Sequence, residues 1–241
     1  MITSIHNETI KSLKKLYKKK YRDQENCFLV EGHHMVNEAL ASGMADLVIT
    51  TDSNYQCDCD VLIVSETVIK HLSETKTPQN VLARCRKPDN KIVAGHRYLI
   101  LDGVQDPGNV GTMIRSALAF GFDQVILSDD SVDLYNDKVL RSTQGALFHI
   151  SVIRSQLKAL IPELKQKGVK VIGTSLQSAV PIDDIKTVDQ MAFVMGSEGQ
   201  GMHDDILSLC DQALYIPITT MESLNVGVAA GIIMHHFHAN F

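Results

Sequence analysis

Three stretches in the second half of the chain combine glycines with polar side chains that core packing does not require. Asn109 and Arg115 lie in NVGTMIRSALAFG, Glu198 lies in MGSEGQGM, and Ser223 and Asn225 lie in IPITTMESLNVGVAAG. Each stretch follows an apolar segment and opens a helical pattern, and such junctions are where parallel α/β sheets bind ligands. The pattern indicates a cavity lined by backbone and a few reactive side chains, which suits group-transfer chemistry.

Each of these polar residues also has a purely structural explanation. We predict Asn109 to be a helix N-cap. Asparagine and serine are common N-cap residues, so capping would also explain Ser223 and Asn225. Arg115 is consistent with an ordinary surface arginine. Glu198 is costly to enclose unless it is paired, and Arg115 is the partner that its charge predicts. The loops contain neither the Lys-Ser/Thr of a Walker motif nor the G-x-G-x-x-G pattern. Their sequences therefore do not predict an ordinary nucleotide-binding loop.

The composition predicts a globular protein with neither a secretion leader nor a membrane-spanning segment. The chain has 241 residues, of which 44% are hydrophobic, and this allows one large domain or two small ones. Five cysteines without C-x-x-C spacing predict reduced thiols in the cytoplasm. We predict no metal site, because Cys57 and Cys59 are too close in sequence for a zinc pair and the three histidines at 235, 236 and 238 do not share one helix face.

Basic residues are concentrated near the N-terminus, although the net charge of the chain is −5. The first 92 residues carry 13 Lys and Arg against 12 Asp and Glu, whereas the rest carry 10 against 16. In the segment 11–22 (KSLKKLYKKKYR), seven of twelve residues are basic. Because no acidic residue separates these lysines, they repel one another, and binding to phosphates would relieve the repulsion. A solvated basic helix face is the plainer alternative.

Hydrophobic periodicity predicts two α/β layers, in domains 1–90 and 97–241 joined by a linker at 91–96. In the first domain we predict a helix over 7–22, strands at 27–30, 46–50, 60–64 and 81–85, and helices at 33–40 and 66–72. In the second domain we predict strands at 98–101, 124–127, 150–153, 169–173, 192–195 and 213–216, with helices at 110–120, 134–141, 155–167, 203–209 and 224–238. Near-continuous apolar strands between helices predict a parallel sheet covered on both faces.

Together the three stretches resemble the motifs of the SpoU (TrmH) family of RNA ribose 2′-O-methyltransferases, in the SPOUT superfamily. The first family motif, N-x-G-x-x-x-R-x-A-x-x-F-G, is matched by Asn109–Gly121, and the second, G-x-E-x-x-G, by Gly196–Gly201. The third, S-L-N-V-S-x-A, is matched by Ser223–Ala229 except that Gly227 replaces the usual serine.

The resemblance extends to the N-terminal half and implies a fold. FLVEG at Phe28–Gly32 resembles the family's accessory RNA-binding domain, and RSTQGALFH at Arg141–His149 resembles a further family stretch. The resemblance implies a small N-terminal ribosomal-protein-like α/β RNA-binding domain and a C-terminal SPOUT α/β domain with a deep trefoil knot. Sequence rules alone would reject a knot. It also implies a homodimer formed through the knotted domain.

The resemblance further implies S-adenosylmethionine as the cofactor and assigns roles to the site residues. The expected cofactor contacts, mainly through backbone, are at Thr174, Gly196, Ile216, Ile218 and Leu224. Arg115 would bind the phosphate beside the reacting ribose and stabilise developing alkoxide charge, because a free guanidinium is a poor base. The residues expected to orient Arg115 and the ribose are Asn109, Glu198, Ser223 and Asn225.

We therefore predict a cytoplasmic enzyme that methylates ribose 2′-oxygens of RNA, with 23S rRNA favoured by the accessory domain. The residues predicted to contact RNA are Lys14, Lys15, Lys18, Lys19, Arg22 and Arg141. A tRNA methyltransferase and a catalytically idle RNA-binding assembly factor remain alternatives. A small-molecule nucleotide-binding enzyme is a third, but it would leave the basic segment 11–22 without a role.

Overall fold

The computed structural model describes residues 1–238, and the chain packs into two compact units. The N-terminal unit contains Met1–Asp89 together with Asp133–His149, and the C-terminal unit contains Asn90–Val132 together with Ile150–Phe241. The division into functional domains 1–90, 91–96 and 97–241 stays a prediction. The compact units differ from that division in the segment 133–149, which packs with the N-terminal unit.

The elements alternate between helices and strands along most of the chain. Before residue 90 they are α1 (Glu8–Lys15), α2 (Lys19–Glu25), β1 (Cys27–Glu31), α3 (His33–Ala41), β2 (Ala45–Thr50), β3 (Asp60–Ile63), α4 (Glu66–Leu72) and β4 (Val81–Arg86). From residue 90 they are β5 (Arg97–Leu101), α5 (Pro107–Ala119), β6 (Gln124–Leu127), α6 (Asp137–Thr143), a 3₁₀ turn (Ala146–Phe148), β7 (Ser151–Arg154), α7 (Leu157–Gln166), β8 (Lys170–Thr174), β9 (Val180–Pro181), a 3₁₀ turn (Ile182–Asp184), β10 (Met191–Met195), α8 (Asp204–Leu207), β11 (Gln212–Tyr215) and α9 (Val226–His236).

The N-terminal unit is built on a four-stranded sheet in the order β1-β4-β2-β3. Strand β4 pairs antiparallel with β1 and β2, and β2 pairs parallel with β3. Apolar side chains of α1 and α4 pack over strand residues such as Leu29, Ile49 and Leu82 to form the core of this unit. The α/β layer predicted for the N-terminal half is therefore present.

The basic segment forms two helices instead of the single helix predicted over 7–22. α1 ends at Lys15, and α2 begins at Lys19 after an extended N-cap at Lys18. Arg22 Nη1 donates to the Leu16 carbonyl at 2.8 Å. In a continuous helix, this carbonyl would accept the backbone N–H of the residue four positions later. This side-chain contact satisfies the Leu16 carbonyl where the helix breaks. The apolar stripe in the sequence therefore predicts a longer helix than the structure contains.

The segment 133–149 completes the N-terminal unit. The Phe28 ring is fully buried, with the Tyr135 ring centroid at 4.6 Å and the Phe148 ring centroid at 6.4 Å. Arg22 is also buried and forms an ion pair with Asp133. Both contacts tie the first 89 residues to a segment that follows much later in the sequence, and local pattern analysis cannot detect such contacts.

The C-terminal unit contains a seven-stranded parallel sheet in the order β7-β6-β5-β10-β8-β11-β9. The parallel sheet predicted from the apolar strands is therefore confirmed, with one short additional strand, β9. Helix α5 packs against α9, and α7 packs against β8 and α8. Because all seven strands run in the same direction, the loops after β5, β8, β10 and β11 lie at one edge of the sheet. Within the described residues, the chain has no helix long and apolar enough to cross a membrane.

Candidate active site

A cavity of about 510 Å³ opens at the C-terminal ends of β8, β10 and β11. Loops that leave these strands form its walls, mainly at residues 174–177, 195–202 and 214–226. This volume falls within the range of about 300–1,000 Å³ that is common for small-molecule sites. The residues expected to contact a cofactor all line this cavity: Thr174, Gly196, Ile216, Ile218 and Leu224. The structure brings the five together, and their cofactor contacts stay a prediction.

The lining of the cavity suits a cationic ligand such as S-adenosylmethionine. Among the described residues that line it there is no lysine or arginine, so a polyphosphate would find no cationic side chain there. Carboxylates of Glu198, Asp204 and Glu222 line it instead, and they complement sulfonium and ammonium charges. Leu214 and Ile216 supply apolar surface of the kind that packs against a heterocycle. The cavity therefore fits S-adenosylmethionine better than it fits a nucleotide polyphosphate.

Three of the predicted catalytic residues form one hydrogen-bonded cluster. Asn225 Nδ2 donates to Glu198 Oε1 at 2.8 Å and lies 3.1 Å from Asn109 Oδ1. Asn109 Nδ2 donates to the same Glu198 oxygen. Two neutral amides therefore hold one oxygen of Glu198, while Glu198 Oε2 makes no hydrogen bond within residues 1–238. The carboxylate is positioned with one acceptor atom still available.

Asn225 serves the site and the fold at the same time. Its Oδ1 accepts the backbone N–H of Gly227 at 2.9 Å and that of Val228 at 3.2 Å, which makes it the N-cap of α9. Its Nδ2 is then directed at Glu198. The structural explanation of this residue and the functional one are therefore both correct.

Asn109 is not the N-cap of its helix, contrary to the sequence prediction. The N-cap of α5 is Asp106, whose Oδ1 accepts the Asn109 N–H at 2.8 Å, and Pro107 occupies the first helical position. Pro107 needs no N–H partner there, so the helix begins earlier than the apolar pattern indicated. Asn109 consequently lies inside the first turn, where its side-chain amide is free to reach Glu198.

Arg115 and Ser223 lie apart from this cluster of amides. Arg115 is exposed on α5 and forms no hydrogen bond or ion pair with any described residue. The structure therefore does not contain the predicted pairing of Arg115 with Glu198, and the partners of Glu198 are instead the Asn109 and Asn225 amides, both on one of its oxygens. Ser223 is exposed and lines the cavity, and it too lacks a hydrogen-bond partner among residues 1–238.

The glycine-rich loop that carries Glu198 is a tight hairpin. Ser197 and Gly201 exchange backbone hydrogen bonds of 2.8 and 2.9 Å. A Cβ placed on Gly196 would lie 2.1 Å from the Gly201 carbonyl carbon, so this position requires glycine. The buried Met202 ends the loop, and the Thr174 N–H points at its sulfur at 3.1 Å. The hairpin is therefore fastened to β8 on the cavity side.

A carboxylate–histidine pair that the sequence patterns did not predict lies at the exit of this loop. Asp102 follows β5 and is only 2% exposed, and its two oxygens accept from the His203 N–H at 2.7 Å and His203 Nδ1 at 2.9 Å. The hydrogen bond to Asp102 raises the pKa of His203 above 6.5, and the charges of Asp102, Asp130 and Asp205 act in the same direction. An aspartate directly after an apolar strand and a histidine directly after a glycine loop were the available signals.

The predicted RNA-contact residues have different environments. Arg22 is buried and bound to Leu16 and Asp133, so it is not available to RNA in this structure, and its side chain supports the fold instead. Lys14 is half-buried and ion-paired with Glu74, at 2.6 Å. Among the others, three side chains are exposed, those of Lys15, Lys18 and Lys19, and Arg141 is ion-paired with Asp137 at 2.7 Å.

Comparison with known proteins identifies the family to which this fold and site belong. Residues 96–235 match the model of the SpoU rRNA Methylase family, and residues 7–83 match the model of an MRM3-like substrate binding domain. The chain belongs to the SpoU rRNA methylase family.

A closely similar relative is the 23S rRNA (guanosine(2553)-2′-O)-methyltransferase RlmP of Bacillus subtilis, which is 42% identical over 98% of both chains. The AdoMet-bound rRNA methyltransferase of Sinorhizobium meliloti is 28% identical, with a TM-score of 0.87 over 98% of this chain and 95% of that one. The SpoU methyltransferase AviRb of Streptomyces viridochromogenes, with AdoMet bound, has a TM-score of 0.86 at 21% identity over 96% and 97% of the two chains, which supports the fold alone.

Proposed function

We propose that this protein is an S-adenosylmethionine-dependent methyltransferase that modifies a ribose 2′-oxygen of 23S rRNA. The observation that carries the proposal is the cavity, whose described lining has no lysine or arginine and which is bordered by a carboxylate that two amides hold in place. Similarity to RlmP along the whole chain supports large-subunit rRNA as the substrate. It also supports a single guanosine as the target, the nucleotide equivalent to position 2553 of the Bacillus subtilis rRNA.

Different residues at the site have different roles in the reaction. S-adenosylmethionine, when bound, supplies an electrophilic methyl group. Asn109 and Asn225 fix Glu198, whose free Oε2 accepts the hydrogen bond of a ribose hydroxyl and orients its oxygen for in-line attack. The exposed Arg115 guanidinium binds the neighbouring phosphate and stabilises negative charge that develops on the 2′-oxygen. Ser223, at the cavity wall, is available to the ribose as a further donor.

The first test is a transfer assay with methyl-labelled S-adenosylmethionine and separate pools of unmodified rRNA and tRNA. Alkali cleaves RNA except where the ribose is 2′-O-methylated, so a labelled dinucleotide identifies both the chemistry and the base. We expect label in a guanosine-containing dinucleotide from 23S rRNA. The matched control is a 23S fragment with 2′-deoxyguanosine at the target, which lacks the nucleophile and must remain unlabelled.

Each other outcome of this assay supports a different function. Label in tRNA alone would replace the proposed substrate. Cofactor binding without label in naked RNA calls for the same assay on immature 50S particles, where label would restore the proposal. Absence of both cofactor binding and label would favour an idle RNA-binding assembly factor. Weak RNA affinity with little dependence on salt would favour a small-molecule nucleotide-binding enzyme.

We further propose that the protein acts in the cytoplasm as a homodimer. One face of α9 presents Val228, Gly231, Ile232 and His235, spaced at one helical turn, of which Val228 is 53% and Ile232 39% exposed. Apart from Gly231, its two chain neighbours and the adjoining backbone of α9, no described atom lies within 4 Å of a Cβ built on Gly231, so this face can receive another helix closely. Sedimentation of the wild type as a dimer, and of Ile232→Glu as a monomer, is the expected result. The free cysteines are consistent with a reducing compartment.

A deep trefoil knot in the C-terminal unit is also part of the proposal. It is supported by family membership and by the strand order, in which β10 lies between β5 and β8 although it follows both in the chain. Tightening the chain from both ends in a single-molecule stretching experiment would leave a knotted chain shorter than its full contour length. Recovery of the full length would contradict the knot.

A further inference from the structure

The exit of the glycine loop depends on a pair of residues that the proposed reaction does not use. Asp102 lies directly after β5, next to β10 in the sheet, and its own N–H donates to the Met195 carbonyl at 2.8 Å. Its carboxylate is 2% exposed, and within residues 1–238 the two hydrogen bonds that it accepts both come from His203. An enclosed carboxylate whose described hydrogen-bond donors both belong to one residue makes a stringent anchor, because losing either bond leaves one of its oxygens unsatisfied.

The Asp102–His203 pair anchors the hairpin that forms one wall of the cavity. His203 directly follows Met202, the last residue of the hairpin, and both Gly201 and Met202 line the cavity. At the other end of the hairpin, Gly196 directly follows Met195, the last residue of β10. Glu198, at the turn, is held by the two asparagine amides. The hairpin is therefore fixed at its entry by the sheet, at its turn by the amides and at its exit by Asp102.

We propose that Asp102 and His203 are positioning residues that hold the 196–202 loop in the shape that binds S-adenosylmethionine. The inference rests on the proposed function, because it takes the cavity to be the cofactor site. Neither residue needs to touch the cofactor. They act through Met202 and the hairpin, so their loss is expected to weaken cofactor binding and to change the turnover of bound substrate much less.

The charges around His203 make this anchor sensitive to pH. Its side chain is 47% exposed and its Nε2 lies 3.8 Å from Asp130 Oδ2, in the loop after β6. From α8, Asp205 also faces it and is itself paired with Lys158 of α7 at 2.5 Å. The Cys210 thiol near Asp102 stays neutral, because burial raises its pKa to about 12. The groups that face His203 are thus mainly carboxylates, and their charges favour the protonated ring over the neutral one.

The direction of the pH dependence follows from that preference. The folded protein raises the pKa of His203 above 6.5, so the charged anchor is complete below that pH and weakens as the pH rises through the raised pKa. The neutral ring can still donate from Nδ1 to Asp102, but without the charge that strengthens the bond. We therefore expect the affinity for cofactor to fall by about fivefold as the pH rises from below 6.5 through the raised pKa of His203.

Three variants test the inference through direct binding of S-adenosylmethionine by calorimetry, which needs no RNA. His203→Ala removes the side-chain donor, and we expect the Kd to rise by about tenfold, with a KM effect larger than the kcat effect. His203→Asn keeps a donor at the position of Nδ1 without a titrating charge. It should recover most of the affinity and lose the pH dependence. His96→Ala is the matched control, because His96 pairs with Asp189 at 3.0 Å and lies outside the cavity lining.

The outcomes separate this inference from the proposed function. Failure of the wild type to bind cofactor would overturn both. Normal binding by wild type together with an unchanged Kd in folded His203→Ala would overturn the inference alone. If His203→Ala does not fold, His203→Asn decides the matter, because a pH profile of its Kd that matches the wild type would contradict a role for the charged ring.

Discussion

At the scale of single residues, the site depends on neutral amides where charge pairing was expected. Glu198 was expected to need a cation, and the structure satisfies one of its oxygens with Asn109 and Asn225. Amide donors orient a carboxylate without placing an opposite charge beside it, so no cation of the described chain is paired with Glu198 at the cavity. This arrangement also leaves Arg115 unpaired among the described residues, and it is available for a substrate phosphate.

The first prediction separates the two roles of Asn225. Asn225→Asp keeps an oxygen that caps α9 but replaces the amide donor with a negative charge facing Glu198. Stability should change by less than about 1 kcal/mol, because an aspartate is as good an N-cap as an asparagine. Methyl transfer should fall by at least about 100-fold, since two carboxylates then repel each other at the site. Thermal unfolding and single-turnover transfer measure the two effects. Asn225→Ala, which loses both roles, is the comparison.

The second prediction concerns Arg115. Arg115→Ala should abolish methyl transfer while the Kd for S-adenosylmethionine stays unchanged, because the residue is absent from the cavity lining. The free energy of unfolding should change by no more than about 0.5 kcal/mol, as is usual for an exposed side chain without partners. Lys138→Ala, another exposed cation, is a control for lost surface charge. Near-normal turnover by Arg115→Ala would contradict the role assigned to the guanidinium.

At the scale of elements, side-chain contacts decide where helices begin and end. Arg22 binds the Leu16 carbonyl at 2.8 Å and so occupies the acceptor where α1 and α2 part. The same guanidinium forms an ion pair with Asp133 just before α6, while its Nε has no partner among the described atoms. A break that looks like a local irregularity is thus tied to an element far along the sequence.

The third prediction tests that contact. Asp133→Ala should lower the free energy of unfolding by about 3 kcal/mol, because it leaves a buried guanidinium without its counter-ion. Chemical denaturation of the whole chain measures the loss. The double variant Arg22→Met with Asp133→Ala should recover part of it, since an apolar side chain of similar length needs no counter-ion. Equal losses in single and double variants would mean that the pair contributes only through packing.

At the scale of the whole molecule, charge is divided between regions with different tasks. The exposed lysines of the basic segment, among them Lys15, Lys18 and Lys19, have no carboxylate bound to them in the described structure. In contrast, three lysines of α7 and its C-cap are paired with acids: Lys158, Lys165 and Lys167. Unpaired lysines can release counter-ions when they meet phosphates, whereas paired ones gain less.

The fourth prediction uses these two sets of lysines. Replacing Lys15, Lys18 and Lys19 together by alanine should reduce the slope of log K against log salt for RNA binding by about 2, at about 0.7 for each contact to single-stranded RNA. Replacing Lys158, Lys165 and Lys167 should leave the slope nearly unchanged. Fluorescence anisotropy at several salt concentrations gives both slopes. Equal changes in the two sets would place the RNA elsewhere on the surface.

How much could be predicted from the sequence depends on how local each signal was. The parallel sheet and the glycine-rich junctions are local patterns, and the structure confirms the sheet and brings the predicted cofactor residues into one cavity. The partner of Glu198, the burial of Arg22 and the Asp102–His203 pair each join residues far apart in the sequence. No periodicity encodes such contacts, because they depend on which loops the finished sheet places side by side.

The segment 133–149 belongs to the N-terminal unit, and this affects when that unit can fold during synthesis. The Phe28 ring packs on Tyr135 and Phe148, and Arg22 pairs with Asp133, so the N-terminal unit lacks part of its core until residues 133–149 have left the ribosome. By then β5 and β6 have already emerged. Nascent chains usually fold domain by domain from the N-terminus. Here more than half of the polypeptide must be translated before the first unit can close, which prolongs the exposure of its apolar surface to chaperones.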